Sequence, residues 1–148
     1  MSSIGEYLDS AGTLIYSNKG TSMLPLLRQG KDMFIITKKS SERCKKGDVV
    51  LFRRGADNVL HRVVNVNPDS YDILGDNCIA YERGVTDADI MGIMTGFIRN
   101  GKEHSTAETG YKIYTFIMLH TIPARIFAKK VFSRAKRLIG TAIHRFSS

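Results

Sequence analysis

The chain has 148 residues, of which 43% are hydrophobic and 24% are charged, and its formal net charge at pH 7 is +8. That length is typical of one domain with a hydrophobic core of its own. Two cysteines, Cys44 and Cys78, exclude a disulfide framework. Because they also fit no zinc or redox spacing, we expect both to be reduced thiols.

The first 110 residues have the pattern of short strands separated by turns. Residues 1–10 resemble a short helix. β-Branched and aromatic residues then predict strands at 13–16, 33–37, 49–52, 59–66, 71–74 and 90–98. Turn residues separate them, including an Asn100-Gly101 hairpin signal, and residues 78–90 are predicted to be irregular. This organisation predicts a mainly β body.

The pattern becomes helical from Pro123. Apolar residues recur there at helical spacing, at Phe127, Val131, Leu138, Ala142 and Phe146. Basic residues fill much of the remainder, so we predict a basic amphipathic helix over residues 123–146.

The positive charge is concentrated in this region. Residues 1–110 carry 14 basic and 14 acidic side chains, whereas residues 111–148 carry eight basic side chains and no Asp or Glu. A block of one sign attracts lipid headgroups or nucleic acid. The apolar stripe either packs on the β body or gives residues 123–146 a peripheral contact with an anionic membrane.

No secretory signal peptide is expected, because the N-terminus has acidic residues and no apolar run. No stretch reaches the roughly 18 apolar residues that a spanning helix needs. We therefore expect a cytoplasmic or peripheral membrane location.

The segment Gly20-Thr21-Ser22-Met23-Leu24-Pro25 is a candidate nucleophile loop. A serine hydroxyl needs a base to take its proton, and a bend that presents backbone N–H groups to the developing oxyanion. Gly20 and Pro25 favour such a bend. The same residues are also typical of an ordinary turn with a serine cap, and both interpretations stay open on this segment alone.

His61 is the candidate base. Alternation in the predicted strand 59–66 puts it on one face with Val59 and Val63. The ordinary pKa of histidine, about 6.5, suits a general base at neutral pH. A single histidine on a strand is also common as a structural residue.

Asp76 is the candidate third member of the site. It lies in Gly75-Asp76-Asn77, directly after the predicted strand 71–74. An aspartate there can orient an imidazole as in a catalytic triad, or it can form a turn.

Together these segments resemble type I signal peptidases. In that family the nucleophile lies in Ser-Met-x-Pro, a Gly-Asp-Val-Val strand follows, and the base precedes Arg-Val. Residues 22–25, 47–50 and 61–63 match these motifs in order, followed by Gly-Asp-Asn at 75–77 and Ile-Met-Thr-Gly at 93–96. Most bacterial members have lysine as the base. This sequence resembles the branch with histidine, over residues 20–96.

The resemblance implies a mainly β fold, with a coiled antiparallel, barrel-like sheet as the catalytic domain (1–110). The charge and the helical periodicity set residues 111–148 apart as a basic amphipathic helical tail. It implies a serine endopeptidase with Ser22 as nucleophile and His61 as base. Asp76 would orient or charge the site, and Glu82 is a weaker acidic candidate. The substrate would be an extended peptide or pre-protein segment with small residues before the cleaved bond. No metal or organic cofactor is implied.

The oxyanion support would come from the turn itself, with Gly20, Thr21, Met23 and Pro25 shaping it around the Ser22 N–H. Signal peptidases usually have Ser or Thr where this chain has Gly20, and they usually have an N-terminal transmembrane helix. Gly20 is closer to LexA-like peptidases, in which backbone N–H groups serve alone.

Three alternatives stay open. One is a LexA-like self-processing or regulatory peptidase, and another is a catalytically silent peptide-binding module. The third is a nucleic-acid binder acting through the basic tail, which we do not expect because no nucleic-acid-binding signature is present.

Overall fold

The computed structural model describes residues 3–146. Residues 1–2 of the predicted first helix and the side chain of Phe146 lie outside the described residues. The elements are, in order, α1 (Ile4–Ala11), β1 (Thr13–Ser17), β2 (Met33–Lys38), β3 (Val49–Arg54), β4 (Asp57–Val66), β5 (Tyr71–Leu74), β6 (Glu82–Val85), β7 (Ile90–Arg99), β8 (Lys102–Ser105), α2 (Thr109–His120) and α3 (Ile122–Phe146).

The eight strands form one antiparallel sheet, in the order β1-β2-β7-β3-β4-β5-β6, with β8 paired to β7. β1 and β6 each pair on one side only, so the sheet is open rather than closed. The predicted mainly β class and the C-terminal helix are confirmed. The hairpin at Asn100-Gly101 is confirmed too, and both of its residues have the positive φ that such a tight turn requires.

Two elements differ from the sequence-based prediction. β6 lies within residues 78–90, which were predicted to be irregular; its residues Glu82 to Val85 have no clear alternation, and pairing with β5 extends them. α2 is a separate helix ahead of the predicted one. Its β-branched residues have weak helix propensity, and packing of Met118 against the body overrides that preference.

Both faces of the central strand β3 are buried. Val49 and Leu51 pack into one apolar cluster with α1 and the loop after β1, whereas Val50 and Phe52 pack into a second cluster with β5 and β7. The alternation predicted for β4 is confirmed as well: Leu60 joins the first cluster and Val63 the second. β4 is therefore a rigid strand between two cores.

A buried ion pair fixes α2 and the end of β5 to the sheet. Arg62 of β4 and Asp76, which follows β5, form two hydrogen bonds of 2.7 and 2.8 Å, and both residues are almost fully buried. From α2, the Tyr114 hydroxyl donates to Asp76 at 2.9 Å, while Thr115 accepts from Arg62. Burial opposes the charge of Arg62, yet Asp76 holds the pKa of Arg62 above its ordinary value.

α3 docks on the body through its first turns only. Ile122 is buried against Val64 and Leu74, and Ile126 packs beside them. Farther along, the stripe residues Phe127, Val131 and Leu138 are exposed. The interpretation that the stripe packs on the β body is therefore wrong for these three residues. No helix in the described part of the chain is both long enough and apolar enough to cross a membrane.

Asp76→Asn should lower the free energy of unfolding by roughly 3–5 kcal/mol, because it leaves the buried Arg62 charge without its partner. Urea denaturation at neutral pH measures this change. The matched control is Asp69→Asn at an exposed turn position, which should change stability by less than about 0.5 kcal/mol. Equal, small effects of the two substitutions would contradict the structural role of the ion pair.

Candidate active site

The loop that carries Ser22 runs from β1 to β2 and is held rigidly. Asn18 is buried, and its side-chain amide donates to the carbonyl oxygens of Gly20 (2.9 Å) and Leu27 (3.1 Å). At the far end of the loop, Asp32 is fully buried and pairs with Arg28 and Arg99. Ser22 therefore lies on a segment with fixed ends.

The residues predicted to support the oxyanion are of two kinds: one is buried in the core, and the others are exposed. Met23 is 1% exposed and anchors the loop in the first apolar cluster, together with Leu27. Thr21 and Pro25 are exposed, and the Leu24–Pro25 peptide bond is cis. A Cβ on Gly20 would meet no atom within 4 Å, so this position faces open space.

Ser22 itself is half-buried. Among residues 3–146, no acceptor takes the backbone N–H of Ser22, and its hydroxyl makes no hydrogen bond. Both groups are therefore available to a molecule in the adjoining cavity.

His61 lies in the middle of β4, opposite Val50 of β3, and is 5% exposed. Its ring centroid is 6.0 Å from that of Phe52. Nδ1 is buried and makes no hydrogen bond within the described chain. Nε2 is not among the buried unpaired atoms, so it keeps contact with solvent.

Ser22 and His61 meet at Gly75, where the chain leaves β5. A Cβ on Gly75 would lie 2.8 Å from the carbonyl oxygen of Ser22 and 3.0 Å from Cδ2 of His61. Cδ2 is the ring carbon bonded to Nε2, so this edge of the imidazole and the Ser22 carbonyl both lie beside Gly75. Only glycine allows this approach of the two segments.

Ser22 and His61 also line the same cavity, of about 590 Å³. Its walls come from the free edge strand β1, including Leu14 and Tyr16, and from the β3–β4 hairpin, including Leu60. Gly20 and Cys78 complete the wall near Ser22. The structure thus brings the predicted nucleophile and the predicted base to one apolar-walled cavity, without a direct hydrogen bond between them.

The carboxylate that faces His61 belongs to Glu82, not to Asp76. Oε1 of Glu82 lies 3.5 Å from Nδ1 of His61, and Arg54 holds the same oxygen at 2.6 Å. Asp76 instead uses both carboxylate oxygens on Arg62 and Tyr114. The prediction that Asp76 orients His61 through a direct contact is therefore corrected, because its hydrogen bonds are those of a structural ion pair. Its charge still acts on the site, since it raises the pKa of His61 as the Glu82 carboxylate does.

Asn77 and Arg54 are site residues that the sequence analysis did not single out. The backbone N–H of Asn77 donates to the Ser22 carbonyl at 2.8 Å, and its side-chain amide donates to the Thr21 carbonyl at 3.0 Å. Asn77 belongs to the quoted Gly-Asp-Asn motif, so the motif was a signal for it. No sequence signal pointed to Arg54, because its partner Glu82 is brought near it only by the pairing of β6 with β5.

Burial lowers the pKa of His61 below its ordinary value, and the positive charge of Arg54 contributes in the same direction. The Glu82 carboxylate opposes this shift. The imidazole is therefore neutral at neutral pH, which is the form that accepts a proton. Cys44 and Cys78 are free thiols, as expected, and burial raises the pKa of both, so they stay protonated.

No family model matches the chain, and no curated protein sequence matches it significantly.

The lowered pKa of His61 predicts a specific loss of stability in acid. The unfolded chain binds a proton on this histidine at pH values where the folded chain does not, so His61 destabilises the fold as pH falls through about 6.5. The loss levels off below the folded-state pKa. His61→Gln should have a shallower decline in the free energy of unfolding between about pH 7 and pH 5. The free energy of unfolding of both proteins is measured by denaturation at each pH. Equally steep declines for the original chain and for His61→Gln would contradict a neutral buried imidazole.

Proposed function

We propose that the protein is a serine endopeptidase of the signal-peptidase type, with Ser22 as nucleophile and His61 as general base. The observation that carries the proposal is that the Ser22 carbonyl and Cδ2 of His61 both approach Gly75 and that the two residues line one cavity. The serine and the histidine come from separate parts of the chain, and the packing brings them together beside an accessible space. This is what nucleophilic catalysis by serine requires.

In the proposed reaction, Ser22 Oγ attacks the carbonyl carbon of the scissile bond while His61 Nε2 takes the hydroxyl proton. The tetrahedral intermediate places its negative oxygen at the Ser22 backbone N–H, which no acceptor within residues 3–146 occupies. His61 then returns the proton to the leaving amine, and an acyl-enzyme forms on Ser22. A water molecule, deprotonated by His61, hydrolyses this ester and restores the serine.

Glu82 takes the positioning role in this proposal. Its carboxylate faces Nδ1 of His61, so its negative charge stabilises the imidazolium that forms when Nε2 accepts a proton. Arg54 holds the carboxylate in place and moderates its charge. Asn77 positions the nucleophile by holding the carbonyl oxygen of Ser22.

The cavity suits an extended peptide. Within residues 3–146, β1 pairs with β2 alone, so its other edge has unpaired backbone groups that can hydrogen-bond a substrate strand. Apolar side chains such as Leu14, Tyr16 and Leu60 form the wall beside this edge. We propose that the substrate lies along β1 with small residues entering the cavity near Ser22, in line with the resemblance to signal peptidases.

That resemblance also extends to the fold as a proposal. The matched motifs fall at functional places: Ser-Met-x-Pro on the nucleophile loop, His-Arg-Val on β4, and Gly-Asp-Asn where Ser22 and His61 meet. The open antiparallel sheet, with both faces of β3 buried, supports a coiled sheet of the signal-peptidase kind. We infer a divergent member of the histidine branch.

Ser22→Ala should lower peptide cleavage by three or more orders of magnitude, because it removes the nucleophile. The assay is digestion of an unbiased peptide mixture, with new termini identified by mass spectrometry. Ser17→Ala is the matched control, because Ser17 lines the same cavity and should be dispensable. Cleavage that survives Ser22→Ala, or that is lost equally in Ser17→Ala, would overturn the assignment of the nucleophile.

Glu82→Gln should lower turnover on the order of tenfold and shift the acid limb of the pH–rate profile to lower pH, because the carboxylate raises the pKa of His61. In the unmodified enzyme that limb should lie below the ordinary histidine pKa of about 6.5, because burial lowers it. Asp76→Asn is the comparison and should lose stability with a smaller shift of the profile per folded molecule. A profile shifted by Asp76→Asn and unchanged by Glu82→Gln would reverse the assignment.

A further inference from the structure

Both C-terminal helices have an apolar face directed away from the sheet. α2 packs on the body through Met118 and Leu119, while Ile113, Phe116 and Ile117 on its other side are 56%, 61% and 51% exposed. Exposed apolar residues three and four positions apart lie on one face of a helix. This face is therefore a continuous apolar stripe on α2.

α3 repeats the arrangement. Its docked side ends near Ile126, while Phe127, Val131 and Leu138 are 71%, 48% and 73% exposed. These positions also recur at helical spacing. We call the following six residues the uncovered helical face: Ile113, Phe116, Ile117, Phe127, Val131 and Leu138. Large apolar side chains exposed at helical spacing on two successive helices indicate an interaction surface.

The charge around the uncovered helical face has one sign. Glu108 is the last acidic residue of the chain, and the eight basic residues beyond it are Lys112, Arg125, Lys129, Lys130, Arg134, Lys136, Arg137 and Arg145. Arg125 and Lys129 bond to the body, at Asp76 and Asn77. Within residues 3–146, the side chains of Lys130, Arg134 and Arg137 pair with no carboxylate. Their charge is available to a partner.

We infer that the uncovered helical face docks on an anionic lipid surface, with α2 and α3 lying along it. An interfacial helix buries apolar side chains among the acyl chains while basic side chains stay at the headgroups, and these helices supply both parts. A second copy of the chain would bring the same positive charges against each other. A nucleic-acid backbone would satisfy the charges but leave Phe127 and Leu138 in water.

The docked helix is connected to the active-site loop. Arg125 donates to the carbonyl of Asp76 at 2.6 Å, and Lys129 bonds to the carbonyl and side chain of Asn77, the residue that holds Ser22. Lys129 and Phe132 also wall a second cavity, of about 1210 Å³, that reaches His61. Docking therefore holds the Ser22 cavity near the lipid surface. The lipid inference does not depend on catalysis by Ser22.

The test is flotation of the full chain with vesicles of phosphatidylcholine alone, or of phosphatidylcholine with phosphatidylserine, at low and high salt. The triple variant Lys130→Gln, Arg134→Gln, Arg137→Gln should lower the partition onto anionic vesicles on the order of ten- to a hundredfold. The matched control, Lys31→Gln, Lys45→Gln, Lys102→Gln, removes the same charge from exposed positions on the body and should change it little.

Leu138→Ser tests the apolar part of the surface. Because Leu138 is 73% exposed, the substitution should leave the melting temperature unchanged while weakening binding to anionic vesicles. The inference is supported if the chain binds anionic vesicles only and if salt weakens this binding. The helix triple variant and Leu138→Ser should each reduce it.

The inference would be overturned by equal loss of binding in the body triple variant, by binding that ignores phosphatidylserine, or by a dimer in sedimentation that Leu138→Ser dissociates. Tighter, salt-sensitive binding to duplex DNA than to anionic vesicles would overturn it in favour of nucleic acid. None of these readouts uses cleavage, so failure of the lipid inference and failure of the peptidase proposal are distinguishable.

Discussion

The buried ion pair between Arg62 and Asp76 is the interaction on which the arrangement of the site depends. Asp76 lies between the two residues that organise the site: Gly75, where Ser22 and His61 approach each other, and Asn77, which holds the carbonyl oxygen of Ser22. Arg62 is the residue after His61 on β4. A bidentate, desolvated contact between them fixes β4 and the segment beside the Ser22 loop in one geometry. The same carboxylate also holds α2 through Tyr114.

The electrostatics of the site divide the two neighbouring carboxylates between separate tasks. Asp76 is neutralised by Arg62 in the interior, so its charge contributes to stability. Glu82 is partly exposed, shares its charge with Arg54, and faces the imidazole. Burial lowers the pKa of His61 and so keeps the imidazole neutral at neutral pH, and the Glu82 carboxylate limits this lowering. A base that is neutral at neutral pH and has a carboxylate behind it is suited to accept and return one proton in each step.

Local pattern predicted much of the sheet. Strong alternation in β4 indicated that His61 and Leu60 lie on opposite faces, and the apolar run of β3 indicated burial on both. The local pattern did not show whether Asp76 or Glu82 faces His61. This depends on which carboxylate forms the ion pair with Arg62, and the pairing of β4 with β5 decides that. β6 was missed for a similar reason, since its pairing with β5 rather than its composition makes it a strand.

The helical region shows the same limit of local reasoning. The amphipathic pattern predicted α3 and its stripe, because helical periodicity is visible in the sequence alone. The sequence alone did not show which face of α3 packs on the sheet. Ile122 and Ile126 pack beside Leu74, whereas the more regular stripe through Phe127 and Leu138 is exposed. Most of α2 lies within the predicted helical tail (111–148), but it was not predicted as a separate helix, because its β-branched residues disfavour a helix in isolation. Its contacts with Asp76, Arg62 and the core stabilise it.

The central claim is that His61 can take a proton from the side chain at position 22, and a substrate-independent measurement tests it most directly. In the Ser22→Cys variant, the rate of alkylation at position 22 is followed against pH by mass spectrometry, with and without His61→Gln. The buried thiol of Cys44, whose pKa is raised by burial, serves as a slow internal reference, and alkylation of Cys78 in the cavity wall is followed separately. We expect the introduced thiol to react at pH values well below the pKa of a free cysteine, about 8.5, and we expect His61→Gln to abolish this reactivity. The same alkylation profile in both backgrounds would contradict it.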